Sequence, residues 1–321
     1  MINRRNLMLS TVAIATLGGI GSAQAQAWTT QPVMLINPFG AGSAVDVVAR
    51  LIADDMTARL GTPFRVENRT GASGVIGTES VVQAPADGQT FLVGSSGSMG
   101  INPSLLPDLP YDAREDFIPL THVVSFPQAV CVRPDMNITT LEELIAMAKE
   151  KPGELRFGSS GEGSTAHLAM ELIMADSGLD MIHVPYRGGS AAIQALIAGE
   201  IDVATEGLPS LPGQIEARTV IPIAVTSPDR SPNYPDLRAV SETIPGFDAA
   251  AWIIFFARAG TDDAIVQTMS QELVTSVNQP EVAARLAEIG AVIFGRSQEE
   301  TAAFHRSELE KWARAVELAQ R

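Results

Sequence analysis

The chain has 321 residues, of which 45% are hydrophobic and 18% charged, so it is long and apolar enough for one large or two medium globular domains. This composition excludes general disorder. The formal net charge of −15 argues against nucleic acid or an anionic membrane as partner, because both attract clustered Lys and Arg. Cys131 is the only cysteine, which excludes an intrachain disulfide, and its apolar neighbours predict a buried strand position.

Residues 1–27 have the pattern of a secretory signal peptide. Arg4 and Arg5 precede an apolar run, and small residues follow that run. The run is too short and too interrupted by glycine to be a membrane anchor. We therefore predict a soluble periplasmic protein whose signal peptide is cleaved near Ala25 or Ala27. The paired arginines leave the export route open between the general and the twin-arginine pathways.

The rest of the chain alternates between short apolar strands and helical stretches, which predicts an α/β protein with largely parallel sheets. The segment IPLTHVVSFPQAVCVRP contains two apolar runs with no helix between them, and the alternation starts again after it. We interpret this segment as a crossing between domains. The predicted first domain comprises residues 28–127 and 251–321, and the second comprises residues 128–250.

Several helices are marked by their end signals. A helix is predicted from about Ser43 to Leu60, and Thr140 with Glu143 has the spacing of a capping box before another. A third helix is predicted from about Ser164. The chain is predicted to close with three helices, at about residues 262–278, 281–289 and 298–319.

The stretch NPFGAGSAVDVVAR predicts a strand, a glycine turn and a helix start, which is a common anion-binding arrangement. Phosphate and carboxylate are both possible anions for such a turn. Val45 stands where a dinucleotide fingerprint would have its third glycine, and no Gly-Lys-Ser/Thr sequence follows, so neither nucleotide motif is complete. A second glycine series at residues 71, 74 and 77 is open between a ligand loop and close packing.

Motifs for catalysis and metal binding are absent from the sequence. It has no G-x-S-x-G, no H-E-x-x-H and no second cysteine, and its four histidines are widely separated. We therefore predict no enzyme activity, no metal and no cofactor. An exported enzyme that uses His167 and Asp46 as acid and base is the weaker alternative.

The first glycine turn has a second copy later in the chain. Gly42-Ser43 with Asp46 matches Gly163-Ser164 with His167, so each copy has a polar residue three places after a serine at a helix start. Helix capping alone would explain those side chains. Two such helix starts that face each other across a cleft would also make an anion clamp that needs little formal charge.

Other polar loops follow predicted strands, where ligands gather in open α/β sheets. They include the serines of VGSSGSMGINPS, the serines of FGSSGEG, and Tyr186 with Arg187 in HVPYRGGS. Arg187 is the one cation in these loops. It fits a ligand contact and a solvated helix start equally well.

Taken in order, these segments resemble the Bug family of extracytoplasmic solute receptors, which are the substrate-binding proteins of tripartite tricarboxylate transporters. The matching segments run over the whole mature chain and include PFGAGSAVDVVARLIA, VENRTGASGVIGTESV, GSSGEGSTAHLAMEL and HVPYRGGSAAIQALIAGEIDV. The resemblance implies two α/β domains that close on a ligand as a flytrap does. It also implies small carboxylates as ligands and delivery to a membrane permease.

The resemblance implies a ligand site shared by the two domains. On the first-domain side it implies Phe39, Gly42, Ser43, Asp46, Ser96, Ser98 and Asn102. On the second-domain side it implies Ser159, Gly163, Ser164, His167, Tyr186, Arg187 and Glu206. The chain departs from the usual family pattern at Ser43, Met99 and Glu206, where glycine, histidine and aspartate are common, so the ligand cannot be copied from a known member.

The predicted function is therefore a periplasmic receptor that captures a di- or tricarboxylate, an acidic amino acid or an aromatic acid for a tripartite tricarboxylate transporter. The alternative is a receptor that feeds a two-component signalling system, which the sequence does not distinguish from the first. A monomer is expected, because both domains must be presented to the permease.

Overall fold

The computed structural model describes residues 31–321, and the predicted signal peptide lies outside them. These residues form the strands β1 (Val33–Asn37), β2 (Phe64–Asn68), β3 (Thr90–Ser95), β4 (Phe117–Phe126), β5 (Gln128–Val132), β6 (Arg156–Ser159), β7 (Ile182–Pro185), β8 (Val203–Gly207), β9 (Ile221–Val225), β10 (Ala251–Arg258) and β11 (Val292–Ile293). They also form the helices α1 (Ala44–Leu60), α2 (Val75–Val82), α3 (Asn102–Leu105), α4 (Leu141–Glu150), α5 (Thr165–Ser177), α6 (Gly189–Ala198), α7 (Pro212–Glu216), α8 (Asp263–Val277), α9 (Pro280–Glu288) and α10 (Gln298–Ala319). Over residues 31–321, no helix combines the length and the apolar character that crossing a membrane would require.

The first sheet has six strands in the order β11-β4-β10-β3-β1-β2. Strand β1 is parallel to both β2 and β3, because helices α1 and α2 return the chain to the same edge before each new strand. Strand β10 comes from late in the chain and lies antiparallel between β3 and β4. The carboxyl ends of β1, β2 and β3 therefore lie together. We call this sheet with its helices the first lobe.

The second sheet has five strands in the order β7-β6-β8-β5-β9. Strand β6 is parallel to β7 and β8, whereas β5 is antiparallel to β8 and β9. The prediction of largely parallel sheets is therefore wrong, since both sheets are mixed. Strand β5 follows β4 with only Pro127 between them, so no helix returns the chain to the edge at which β6, β7 and β8 begin, and β5 enters the second sheet from the opposite edge. We call this sheet with its helices the second lobe.

Local capping signals place the helix starts. The predicted capping box of α4 is confirmed, because the Thr140 hydroxyl accepts from the Glu143 N–H at 3.2 Å and the Glu143 carboxylate accepts from the Thr140 N–H at 3.2 Å. Helices α1 and α5 begin directly after the predicted serines, Ser43 and Ser164. The three predicted C-terminal helices correspond to α8, α9 and α10, with ends that differ by at most one residue.

Each lobe has its own hydrophobic core. In the first lobe, Leu35 and Phe255 of the sheet pack with Val48 of α1. In the second lobe, Phe157 of the sheet packs with Leu168 of α5. Cys131 is buried on β5, as the sequence predicted. The α/β class is therefore confirmed in both lobes.

Helix α10 packs against both lobes. Leu309 lies in a cluster with Trp252 of the first lobe, whereas Trp312 and Val316 lie in the core of the second. The Glu308 carboxylate joins the two regions, because it accepts from Trp252 Nε1 at 2.6 Å and from Trp312 Nε1 at 2.8 Å. The predicted domain limits stay a prediction, but the second half of α10, which they assign to the first domain, is buried against the second lobe.

Candidate ligand-binding site

The first loop, residues 38–43, connects β1 to α1 and is held in place by Asp46. The Asp46 carboxylate accepts from the Gly42 N–H at 2.9 Å, from Arg50 Nε at 3.1 Å and from Asn68 Nδ2 at 2.9 Å. The hydrogen bond from Arg50, with those from Gly42 and Asn68, lowers the pKa of Asp46 to about 2. Asp46 is 4% exposed, so its oxygens serve the loop itself.

Ser43 is the N-cap of α1. Its hydroxyl accepts from the Asp46 N–H at 3.2 Å, which satisfies one of the free N–H groups at the helix start. The Asp46 side chain does not return to Ser43, as it would in a capping box, but to Gly42 one residue earlier. This arrangement requires a left-handed residue before the cap, and Gly42 has φ +80°.

The second loop, residues 160–164, repeats this geometry between β6 and α5. The Ser164 hydroxyl accepts from the His167 N–H at 3.2 Å, and His167 Nδ1 accepts from the Gly163 N–H at 3.1 Å. Gly163 has φ +68°. The two helix starts therefore have the same capping geometry, with an imidazole nitrogen of His167 in the role of the Asp46 carboxylate oxygen.

Two stacked histidines lie under the second loop. The rings of His167 and His183 are 3.7 Å apart between centroids and inclined by 11°, and the Phe157 ring centroid lies 4.8 Å from that of His183 and 6.1 Å from that of His167. His183 Nε2 lies 2.8 Å from the hydroxyl of Ser159, which is itself fully buried at the end of β6. Burial, and next the neighbouring His167, lower the pKa of His183 to about 4, so that ring is neutral at pH 7.

The serine segment, residues 95–98, follows β3 at the same edge as the first loop. Ser98 is fully buried, and its hydroxyl accepts from the Ser95 N–H at 3.1 Å, so its side chain shapes the segment from inside. Ser96 lies 3.4 Å from Thr165 of the second lobe, hydroxyl to hydroxyl. Asn102 donates to the Ser73 carbonyl at 3.0 Å and so ties α3 to the glycine segment 71–74.

A series of contacts connects the two loops. The Phe39 ring packs against Gly74, where an added Cβ would lie 3.3 Å from the ring. The residue before Gly74 is Ser73, whose carbonyl accepts from Asn102 at the start of α3. Leu105, at the end of α3, packs against Gly163 of the second loop. A side chain at Gly163 would overlap Leu105. The structure therefore brings the predicted first-lobe residues to the edge that the second loop approaches.

Tyr186, Arg187 and Glu206 lie at the carboxyl edge of β7 and β8, beside the second loop. Arg187 is exposed and forms no ion pair with any residue between 31 and 321. The Glu206 carboxylate lies against Gly189 at the start of α6, where any side chain would overlap it. Burial raises the pKa of Glu206, and no cation in the described part of the chain pairs with it.

Three side chains that hold the loops were not predicted from the sequence: Arg50, Asn68 and His183. Asn68 is the last residue of β2 and pairs with Asn37, the last residue of β1. A polar residue at the end of a strand that is parallel to β1 could therefore have been predicted to lie near the first loop. Arg50 lies one helical turn after Asp46, which is the spacing of an ion pair. His183 gave no local signal, because only the pairing of β6 with β7 brings it beside Ser159.

The geometry does not pair Asp46 with His167 as an acid and a base. Each binds a glycine N–H of its own loop, and within residues 31–321 no hydrogen bond joins them. In the same residues, no three side chains of His, Cys, Asp or Glu lie close enough together to hold a metal ion.

Comparison with known proteins identifies the family. A family profile described as "Tripartite tricarboxylate transporter family receptor" matches residues 48–320. The chain belongs to this receptor family. It is 32% identical to BugT of Bordetella pertussis over 314 residues, which is 97% of this chain and 96% of BugT. The resemblance to Bug receptors predicted from the sequence is thus confirmed.

Two solved structures of Rhodopseudomonas palustris proteins are similar to this receptor. Rpa4515 with adipate is 31% identical, with a TM-score of 0.75 over 91% of this chain and 98% of that one. MatC with bound malate is 28% identical, with a TM-score of 0.70 over 89% of this chain and 99% of that one. The predicted two-domain periplasmic-binding-protein fold is confirmed by these similarities.

Proposed function

We propose that this chain is a periplasmic receptor that captures a small carboxylate between its two lobes and delivers it to the permease of a tripartite tricarboxylate transporter. The observation that carries the proposal is the pair of matched helix starts, one in each lobe, at edges that contact each other. A ligand that touches both lobes favours the closed arrangement, because it gains contacts there that the open arrangement lacks.

The two loops offer unused donors for a carboxylate. Within the described residues, the N–H groups of Gly40 and Ala41 in the first loop have no hydrogen-bond acceptor. The same holds for the N–H groups of Ser160 and Glu162 in the second loop. These groups precede the N-termini of α1 and α5, where the helix dipole also favours negative charge.

Local donors are needed because the chain as a whole repels anions. Its formal net charge is −15, so long-range attraction cannot bring a carboxylate to the cleft. Asp46 does not add repulsion at the first loop, because Arg50 neutralises it at 2.9 Å. Arg187, which is exposed and unpaired in the described structure, adds one positive charge at the second.

Glu206 narrows the class of ligand. Its half-buried carboxylate lies at the ligand edge of the second lobe without a cation partner in residues 31–321. Such a group accepts a hydrogen bond from a hydroxyl or an ammonium group of the ligand. We therefore favour a carboxylate that also carries a donor, such as a hydroxy acid or an amino acid. The malate bound to MatC belongs to this class.

Calorimetry with malate, aspartate and adipate tests the proposal. We expect micromolar or tighter binding, about 8 kcal/mol, for at least one of the two donor-bearing acids, and weaker binding of adipate. The Glu206→Gln variant should reduce the preference for the donor-bearing acids, whereas Glu150→Gln on the exposed end of α4 is a matched control that should keep it. If no small acid binds or raises the melting temperature, the receptor assignment is wrong.

Delivery to a permease needs a separate experiment. Deletion of the gene should abolish uptake of the acid that binds best, and the wild-type gene should restore it. If uptake persists while expression of a nearby operon no longer responds to the acid, the receptor serves signalling instead. Recovery of the bound acid unchanged after long incubation would separate a receptor from an enzyme.

A further inference from the structure

The two helix starts use different acceptors for the same N–H group. In the first loop, the acceptor for the Gly42 N–H is a carboxylate oxygen of Asp46. In the second, the acceptor for the Gly163 N–H is Nδ1 of His167. Both acceptor atoms lie two bonds beyond Cβ, so the backbone geometry can be the same. The chemistry differs, because a carboxylate oxygen remains an acceptor over the physiological pH range and an imidazole nitrogen does not.

The hydrogen bonds of His167 determine its protonation state. Nδ1 accepts from the Gly163 N–H at 3.1 Å, so it carries no proton. Nε2 lies 3.3 Å from the Glu171 carboxylate and must therefore be the nitrogen that carries the proton. The ring is neutral in this arrangement.

His167 is enclosed, so it cannot turn to solvent when its charge changes. It is 5% exposed, and His183 of β7 stacks on its ring. Glu171, on the next turn of α5, is the charged group that faces it, and His183 is the other titratable one. His183 in turn binds the Ser159 hydroxyl, which contacts both the N–H and the carbonyl of Gly161. The stacked pair therefore supports both ends of the second loop.

We propose that His167 is a positioning residue: its neutral ring holds the second loop through Gly163, and uptake of a proton at Nδ1 releases that loop and weakens ligand binding. Protonation replaces the Nδ1 lone pair by an N–H group, which then points at the Gly163 N–H. Two donors cannot share a hydrogen bond, so Gly163 or the ring must move. The first loop has no such response, because its acceptor is a carboxylate. This inference concerns the control of the site and does not depend on which acid binds.

Amide NMR of the ligand-free protein tests the proposal with an internal control. As the solution is acidified, the Gly163 amide resonance should shift, while the Gly42 amide resonance should stay constant. The imidazole ¹⁵N spectrum of His167 should show the Nε2–H tautomer before the solution is acidified. If the Gly163 amide does not respond, or if the Gly42 amide responds equally, the proposal is overturned.

Two variants assign the response to His167. His167→Asn retains an acceptor oxygen at the same distance from the backbone but does not titrate, so the pH response of the Gly163 amide should disappear. His167→Ala removes the acceptor, so the Gly163 amide should exchange with solvent faster at every pH. If His167→Asn keeps the wild-type response, another group causes it and the proposal fails. The measurement on unaltered protein stands even where a variant does not fold.

A binding measurement connects the loop to capture. Malate affinity should fall about three- to tenfold when the wild type is moved from alkaline to mildly acidic buffer, and His167→Asn measured in the same buffers should remove most of that change. Titration of malate itself is common to both proteins and cancels in the comparison. A malate affinity that changes equally in both proteins would contradict the proposed coupling. If neither malate nor aspartate binds, the ligand proposal fails while the amide experiment still decides this one.

Discussion

The first and second loops have the same backbone geometry, but a charged side chain holds the first and a neutral side chain holds the second. In each, a glycine with positive φ turns the chain before a capping serine, and a side chain three residues after the serine binds the glycine N–H. Asp46 does so as an anion and needs Arg50 and Asn68 to stabilise its charge. His167 does so as a neutral ring and needs only Glu171 and a stacked neighbour.

Two helix starts with the same capping geometry are therefore expected to respond differently to mutation and to pH. Removal of Asp46 leaves the Gly42 N–H without an acceptor and Arg50 without its counter-ion, whereas removal of the neutral His167 ring breaks no ion pair between full charges and leaves the Gly163 N–H and the Glu171 carboxylate without their imidazole partner. The first loop is therefore expected to be the more sensitive to mutation, and the second to pH.

The largest effect is expected for Asp46→Ala. The variant loses the acceptor for Gly42 and leaves Arg50 and Asn68 without their common partner, so the free energy of unfolding should fall by about 3 kcal/mol. Ligand affinity should be lost with the loop geometry. Chemical denaturation and calorimetry measure the two effects.

Asp46→Asn is the matched control for this prediction. It keeps an acceptor oxygen for the Gly42 N–H but no charge for Arg50, so it should lose about half as much stability as Asp46→Ala. His167→Ala should cost less than Asp46→Ala, about 1 kcal/mol, because it leaves the Gly163 N–H and the Glu171 carboxylate without their imidazole partner but breaks no ion pair between full charges. A larger loss for His167→Ala than for Asp46→Ala would reverse the comparison.

The next largest effects are expected for substitution of Gly42 and Gly163 by alanine, and the two losses of stability should differ. Gly42→Ala should cost about 1 kcal/mol of stability, because its φ of +80° is unfavourable for alanine although no atom lies within 4 Å of the new Cβ. Gly163→Ala should cost about 2 kcal/mol, because its Cβ also overlaps Leu105 of the other lobe. Thermal denaturation of both variants measures the difference.

A double mutant separates the two causes of the Gly163→Ala effect. Leu105→Ala removes the overlap and leaves the backbone strain, so the loss caused by Gly163→Ala in that background should approach the loss at Gly42. The double mutant should also bind the ligand more tightly than Gly163→Ala alone, because Leu105 contacts the second loop from the first lobe. Simple additivity of the two losses would show that the overlap is not the cause.

The sequence was sufficient for the features that depend on local chemistry. Ser43 and Ser164 fix the starts of α1 and α5 because capping acts within three residues, and the Thr140 capping box does the same for α4. The two-domain fold followed from the family resemblance. The alternation of strands and helices along the sequence did not predict that β5 and β10 are antiparallel to their neighbours. The direction of each of these strands depends on the edge from which the chain enters the sheet as it passes between lobes.

The roles of the site residues depended on contacts that spacing does not encode. Asp46 was expected as a ligand residue, and the structure shows its oxygens bound to Gly42, Arg50 and Asn68. His183 was counted only as one of four separate histidines, because it joins the second loop only when β7 pairs with β6. Whether the remaining predicted side chains touch the ligand stays a prediction.

The smallest effect is expected for acid stability. The pKa of His183 is lowered by burial to about 4, below the ordinary histidine value, so the unfolded chain takes up its proton first as pH falls. Stability that is complete above about pH 6.5 should therefore be lost between there and about pH 4. His183→Phe keeps a ring stacked on His167 but does not titrate, so its unfolding free energy should fall less over this pH range than that of the wild type. The difference between the two proteins should be under about 1 kcal/mol, because His183 is only half buried.

Asp46→Asn is the control from the first loop. Since the pKa of Asp46 is about 2, the contribution of Asp46 to stability is lost only below about pH 4, and the slope of unfolding free energy against pH above that value should match the wild type. Urea denaturation at a series of pH values measures these slopes. If Asp46→Asn flattens the slope and His183→Phe does not, acid acts on the first loop and the contrast between the two anchors is wrong.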